Sequence, residues 1–318
     1  MDRQGSVSFC TPTSSKSRLV RAYVRRLLHR RQQPLWHSFL REPMPSLVYN
    51  PRTEQRLAQL AQQPPQSLLL VGAPGLGLMT AARQVASHTA LILRPHTSQG
   101  HDDQQRGTIR VDDIRSLHTL TQGKATARQF VIIDDADRMT PAAQNAFLKL
   151  LEEPPHALHL ILTSHQPQRL LATIRSRVQT VRIIPPQPDQ TATQLDQLSI
   201  IDPTRRAQLQ FIAQQQPATI ARLAANSEEF RAIALAMTDA RHYITGATRQ
   251  RIVIGQRYSH DRARALLLLE CVLHIAWHTL RTQPSQQLLA QAERIARAHE
   301  RITANASVRI QLLACGIL

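Results

Sequence analysis

Five short apolar runs punctuate the first 185 positions of the chain: Ser67–Gly72 (SLLLVG), Ala90–Pro95 (ALILRP), Phe130–Asp135 (FVIIDD), Leu158–Thr163 (LHLILT) and Thr180–Ile184 (TVRII). Each is apolar almost throughout rather than at alternate positions, the pattern of strands covered on both faces. Stretches with helical spacing separate most of them. In the clearest, Ala143, Phe147, Leu150 and Leu151 fall on one face, Thr140-Pro141 supplies an N-cap and first-turn residue, and Pro154-Pro155 stops the helix. Strands alternating with helices predict a three-layer α/β domain on a largely parallel sheet, over residues 46–185.

After Ile183–Pro188 (IIPPQP) the strand patterns stop, and the prolines mark a domain boundary. The remainder reads as helical, in a small segment over 186–240 and a longer one over 241–318. The most apolar stretch, Ala265–Leu280, is short for a membrane span and carries Glu270, His274 and His278. It reads as a core helix. Residues 1–45 read as a basic extension. Its segment Ser15–Gln33 permits one helix with Leu19, Val20, Tyr23, Val24, Leu27 and Leu28 at helical spacing. That helix either contacts nucleic acid or is an ordinary solvated one. An Arg-rich N-terminus with few acids also suits a transit peptide, and a flexible basic tail is the preferred reading.

Charge changes this picture. The 318 residues carry 39 Lys and Arg against 22 Asp and Glu, a net +17. Such an excess says nothing of fold and favours a polyanionic partner, nucleic acid before an anionic membrane. Cys10, Cys271 and Cys315 are scattered without a CxxC pair, which argues against a disulfide framework or zinc site and for a reducing compartment.

Three motifs carry candidate chemistry. The first follows the Ser67 strand. A working phosphate loop reads G-x-x-x-x-G-K-[ST], its backbone N–H groups cradling phosphates while the lysine and hydroxyl serve phosphate and Mg²⁺. Here Gly72, Gly75 and Gly77 keep the backbone part, but Leu78 replaces the lysine and Met79 the hydroxyl residue, with Thr80 one position late. Leucine compensates no phosphate charge, and a thioether is a poor ligand for a hard cation. The second motif is the strand end Asp134-Asp135, a place for a metal-holding acid followed by a water-positioning residue. Asp135 is one methylene shorter than the usual Glu, and a plain polar strand end is the bland alternative. The third is Leu160–Ile183. Thr163-Ser164 ends a strand where a polar side chain can sense phosphate, and a helix end then carries Arg175 and Arg177, which are otherwise solvated surface charges.

Together, VGAPGLG (Val71–Gly77), GTIRVDDIRSL (Gly107–Leu117), IIDDADRMTPAAQNAFLKLLEEPP (Ile132–Pro155) and QRLLATIRSRVQ (Gln168–Gln179) resemble the bacterial clamp-loader branch of the AAA+ family. The resemblance covers roughly 50–185 well, the next helical segment weakly, and the extension not at all. It implies an AAA+ domain, a helical lid over 186–240 and a C-terminal collar over 241–318 that joins five subunits in a ring, with Leu266, Leu269, Leu273 and Ala276 packing inside that domain first, or between subunits. It implies that Ser176-Arg177-Val178 stands for the family's Ser-Arg-Cys, with Arg177 a trans-acting arginine finger on ATP held by a neighbour. Valine for cysteine leaves the charged element intact. On this reading Gly72, Gly75, Gly77, Asp134 and Asp135 are a degenerate nucleotide site, and ATP and Mg²⁺ belong to neighbouring subunits rather than to this chain. The implied partners are the other subunits of a hetero-pentamer, a sliding clamp, and primed DNA through its phosphates. Arg115, Arg138 and Thr140 are the candidate DNA contacts, and the setting is cytoplasmic, without a membrane. Some clamp-loader subunits carry a four-cysteine zinc module near His96–Arg110; this segment has no cysteine, so no metal is expected. Two readings compete. One is an ATP-hydrolysing motor subunit or helicase-loader ATPase; the other is a stand-alone nucleic-acid-binding protein on the same scaffold.

Overall fold

The structure, a computed structural model, describes residues 47–86, 90–97, 107–121, 128–155, 157–283 and 285–317. The helix expected within the basic extension lies outside these residues, as does most of the polar segment that follows His96. The described chain divides into two compact units, one running to Thr191 and including Gln215–Ala218, the other made of Ala192–Gln214 and the residues from Thr219 onward.

In the first unit the elements run α1 (Pro51–Gln62), β1 (Ser67–Val71), α2 (Leu78–Val85), β2 (Leu91–Leu93), α3 (Val111–Thr121), β3 (Gln129–Ile133), α4 (Pro141–Glu152), β4 (Leu158–Ser164), a single turn α5 (Ala172–Arg175) and β5 (Gln179–Arg182). All five predicted strands are present. They form one parallel sheet in the order β2-β3-β4-β1-β5.

The unbroken apolar runs have the predicted consequence. Leu69, Ile133, Leu160 and Leu162 enter one core with Ile114 and Leu117 of α3 and Ala143, Phe147 and Leu150 of α4. The alternate positions Leu68, Leu70, Ile132 and Ile161 enter a second core with Leu57 and Leu60 of α1 and Ala81, Ala82 and Val85 of α2. Successive side chains along a strand thus face opposite layers, as the period of two requires. The sheet is a filling between helices, and the chemistry must sit at its edge, where β1, β3 and β4 end.

Among the described residues no strand follows Arg182. The helices are α6 (Pro188–Gln197), α7 (Pro203–Ala213), α8 (Pro217–Ala225), α9 (Ser227–Thr245), α10 (Thr248–Tyr258), α11 (Arg262–Thr282), α12 (Gln286–Thr303) and α13 (Val308–Ile317). Asp202, Asn226, Asp261 and Ser285 accept backbone N–H bonds as N-caps. Their apolar faces make two clusters, a small one around Leu195, Leu209, Ile220, Leu223 and Phe230 and a larger one around Tyr243, Leu268, Leu269, Val272, Ile295 and Ile302. The break expected near 240 falls inside α9, which gives Phe230 to the first cluster and Ala236, Ala240 and Tyr243 to the second. No helix-breaking residue intervenes before Gly246, so the helix runs on.

The apolar stretch at Ala265–Leu280 also differs from expectation in length. Capped by Asp261, α11 extends to 21 residues and is long and apolar enough, by length and composition, to cross a membrane. Its Leu268, Leu269, Val272 and Ala276 are buried in the larger cluster and Leu266 and Leu273 pack partly against it, while Trp277 is 61% exposed.

Candidate functional site

The loop between β1 and α2 keeps the path of a phosphate loop. Gly75 and Gly77 both take φ of 80°, a left-handed conformation open to glycine at little cost, and Gly77 is the residue before the first turn of α2. A side chain at Gly77 would also run into Leu47. The preceding segment lies against the loop, with the Tyr49 hydroxyl donating to the Gly77 carbonyl at 2.9 Å. At its tip the Gly75 carbonyl accepts the Ala218 N–H at 3.0 Å.

What fills the loop is apolar. Leu78, at the lysine position, is 3% exposed and belongs to the core under the sheet with Leu76, while Met79 packs against the same cluster. Both leucines close on the first glycine: a Cβ on Gly72 would stand 3.1 Å from Leu78 Cδ2 and 3.2 Å from Leu76 Cδ1.

Across the sheet edge Asp134 and Asp135 are buried at the end of β3, Asp135 with φ of 48°. This positive φ is uncommon for a side chain other than glycine. It turns consecutive acids to different partners. Thr163 Oγ1 donates to Asp134 Oδ1 at 2.8 Å and accepts the Asp135 N–H at 2.9 Å. Ser164 Oγ donates to Asp137 Oδ1 at 2.6 Å, and the same oxygen accepts the His165 N–H at 3.1 Å. Thr163 and Ser164, at the strand end read as a phosphate-sensing position, are each hydrogen-bonded to an acid that follows β3. The side chain that reaches the loop is His165. Its Nδ1 lies 2.8 Å from the Gly72 carbonyl and its Nε2 3.5 Å from Asp135 Oδ1.

Burial, and next the charge of Asp134, push the Asp135 carboxyl from 3.8 up to about 6, against the pull of His165 and Arg138. The folded state thus holds this proton more tightly than the unfolded chain. The associated stability is complete below the unfolded pKa and is lost as pH rises through about 6. Asp135→Asn removes that loss: at pH 8 the variant gains about 1–2 kcal/mol, part of the full shift being screened by solvent, and at pH 4 the gain disappears. Urea midpoints at the two pH values read this directly, and equal changes at both would contradict the assignment.

Arg177 occupies the opposite kind of environment. The expected helix end is one turn, closed where Ser176 N–H reaches the Ala172 carbonyl and Ser176 Oγ donates to the Thr173 carbonyl at 3.0 Å. Arg177 therefore lies in the turn beyond α5 rather than on the helix, because β5 begins at Gln179 and the chain must reverse. Val178 anchors this turn in the core at 8% exposed, while the Arg177 side chain is 41% exposed. Arg177 Nη1 donates to the Thr173 carbonyl at 3.1 Å, and Nη2 pairs with Glu152 Oε1 at 3.1 Å. Arg175 is exposed.

The turn is tied to α4 by a residue that patterns did not single out. Buried Gln144 donates to the Met139 and Arg169 carbonyls, each at 3.2 Å, and accepts the Leu171 N–H at 2.8 Å.

Each of the three candidate DNA contacts has a partner within the chain. Arg115 is exposed and pairs with Asp112 at 3.4 Å; Arg138 donates to the Gly107 carbonyl at 3.3 Å; Thr140 Oγ1 caps α4 through the Ala143 N–H at 3.2 Å. Among the described residues there is no group of three or more His, Cys, Asp or Glu arranged to hold a metal.

A strand–glycine loop–helix facing acids at a neighbouring strand end defines a P-loop NTPase scaffold. Residues 81–187 match the family model described as DNA polymerase III, delta subunit. Over 71 residues the chain is 45% identical to DNA polymerase III subunit delta' of Pseudomonas aeruginosa, covering 22% of each protein. Over 92 residues it is 38% identical to the same subunit of Escherichia coli, covering 28% of this chain and 27% of that one. The aligned stretches thus span 22% and 27% of these two relatives. The fold is similar to that of a DNA polymerase III gamma subunit-related protein of Thermotoga maritima, with a TM-score of 0.51 at 16% identity over 83% of this chain and 98% of that one. The matched stretch of the chain is thus similar to DNA polymerase III subunits, and the two relatives aligned over 71 and 92 residues are delta' subunits.

Proposed function

We propose that this chain is a delta'-like subunit of a bacterial clamp loader, one that does not hydrolyse ATP itself and donates Arg177 to ATP held by a neighbouring subunit. The observation that carries the first half is Leu78. Its apolar side chain, buried in the core at the start of α2, supplies no charge at the position where compensation is needed, and Met79 offers Mg²⁺ no hard oxygen. These residues do not fit a Mg²⁺-triphosphate, so no step of hydrolysis is assigned to this cleft.

The second half is supported by the Arg177 turn. Its guanidinium is exposed and held by a solvent-facing carboxylate, a pair worth at most about 1 kcal/mol. Phosphate oxygens from a neighbour can replace that carboxylate at small cost and accept the planar fork in two bonds. In this reading Ser176 shapes the turn and Arg177 stabilises charge developing on the transferred phosphoryl group. The partners are the other loader subunits, a sliding clamp and primed DNA, the last through phosphates without base readout, in the cytoplasm. DNA affinity then falls steeply with salt.

Isothermal titration of the isolated chain with Mg²⁺-ATP tests the first half. The expected result is no saturable binding. Tight, Mg²⁺-dependent binding would instead favour an ATP-hydrolysing motor subunit.

A further inference from the structure

We infer that His165 is a second determinant of the closed cleft, acting as an internal strut between the phosphate loop and the strand-end acids. The inference rests on the reading of the cleft as one that does not take ATP, and deepens it: loss of the lysine is then not the whole cause.

The imidazole spans two groups that a working site must keep apart. A carbonyl oxygen only accepts, so the 2.8 Å contact with Gly72 places a proton on Nδ1. The other nitrogen faces Asp135 Oδ1 at 3.5 Å. Gly72 opens the loop, and Asp135 stands where an NTPase of this layout positions its attacking water. A γ-phosphate and that water need the interval between them, and the ring lies across it.

The strut is braced from behind. Its backbone N–H donates to Asp137 Oδ1 at 3.1 Å, and Ser164 Oγ, itself bonded to Asp137, accepts the Gln166 N–H at 3.2 Å. The Gly72 N–H points at the Ser164 carbonyl at 3.4 Å. Parallel pairing of β1 with β4 sets Val71 against Ser164, so the next residue of each strand meets the other by register rather than by chance. The Asp135 main chain is held in its left-handed conformation by Thr163 Oγ1. Ring, loop and acid are therefore fixed by separate hydrogen bonds, and the partly exposed ring cannot swing aside without breaking the Gly72 bond.

It follows that restoring the missing side chains is not sufficient. Leu78→Lys with Met79→Thr gives back charge and hydroxyl but leaves the ring in place; adding His165→Thr removes it. Mg²⁺-ATP titrated into the full chain should bind the triple variant at least about ten-fold more tightly than the double. Equal affinity of the two, or no binding by either, would overturn the role of His165. Tight binding by the unaltered chain would instead contradict the ATP-free reading, a result the variants are not needed to reveal. Should the buried lysine prevent folding, His165→Ala in the otherwise unaltered chain supplies the test. Amide hydrogen exchange across Gly72–Gly77 should quicken at least about ten-fold as the loop loses its tie, and unchanged exchange there would overturn the proposal.

Discussion

Arg177→Ala is expected to leave the melting temperature of the chain and its assembly with other subunits unchanged, while ATP turnover at the neighbouring site it serves falls by about 10³-fold or more. The two halves of this result have different origins. Stability is spared because the side chain is 41% exposed and its contacts are a surface ion pair with Glu152 and a bond to the Thr173 carbonyl, both replaceable by water. Turnover is lost because charge on a transferred phosphoryl group has to be met by donors already in position. Lysine at 177 should rescue poorly, since an ammonium cannot reproduce the two-pronged guanidinium contact. Steady-state ATPase of the reconstituted complex, with and without primed DNA, measures the effect. A rate equal to that of the unaltered complex would leave Arg177 an ordinary surface charge.

Phe147→Ala should cost about 3–5 kcal/mol of stability, read as a lowered urea midpoint with unchanged slope. The ring is fully buried where α4 crosses the sheet, against a core that includes Leu69, Ile133, Leu160 and Leu162, so its removal leaves a cavity rather than a dent. The consequence reaches the site. The same helix carries Gln144, which ties down the segment before α5, and Glu152, which faces Arg177. A loss below about 1 kcal/mol would mean that α4 does not bear on the sheet as described.

The strands were legible because a parallel sheet covered on both faces writes itself as unbroken apolar runs, and α4 because Thr140-Pro141 and Pro154-Pro155 bracket a clear apolar face. The loop glycines were legible because a local motif carries them. His165 was not. A histidine just past an apolar run has no pattern of its own, and its position depends on register between strands 93 residues apart. The same register sets Thr163 and Ser164 against Asp134 and Asp137, contacts that no local pattern announces. Gln144 was hidden for a related reason: a polar residue on a helix face looks solvated until the loop it satisfies folds over it. At α9 a division was expected near 240, yet one helix with a good cap and no breaker serves both apolar clusters.

The central claim is that this chain works as one subunit of a clamp loader rather than alone. Its most direct measurement is a pull-down of the full-length chain from native lysate, with identification of what accompanies it. The account predicts the remaining loader subunits in fixed proportion. A chain that comes down alone, with all of its DNA affinity residing in the basic residues 1–45, would contradict it.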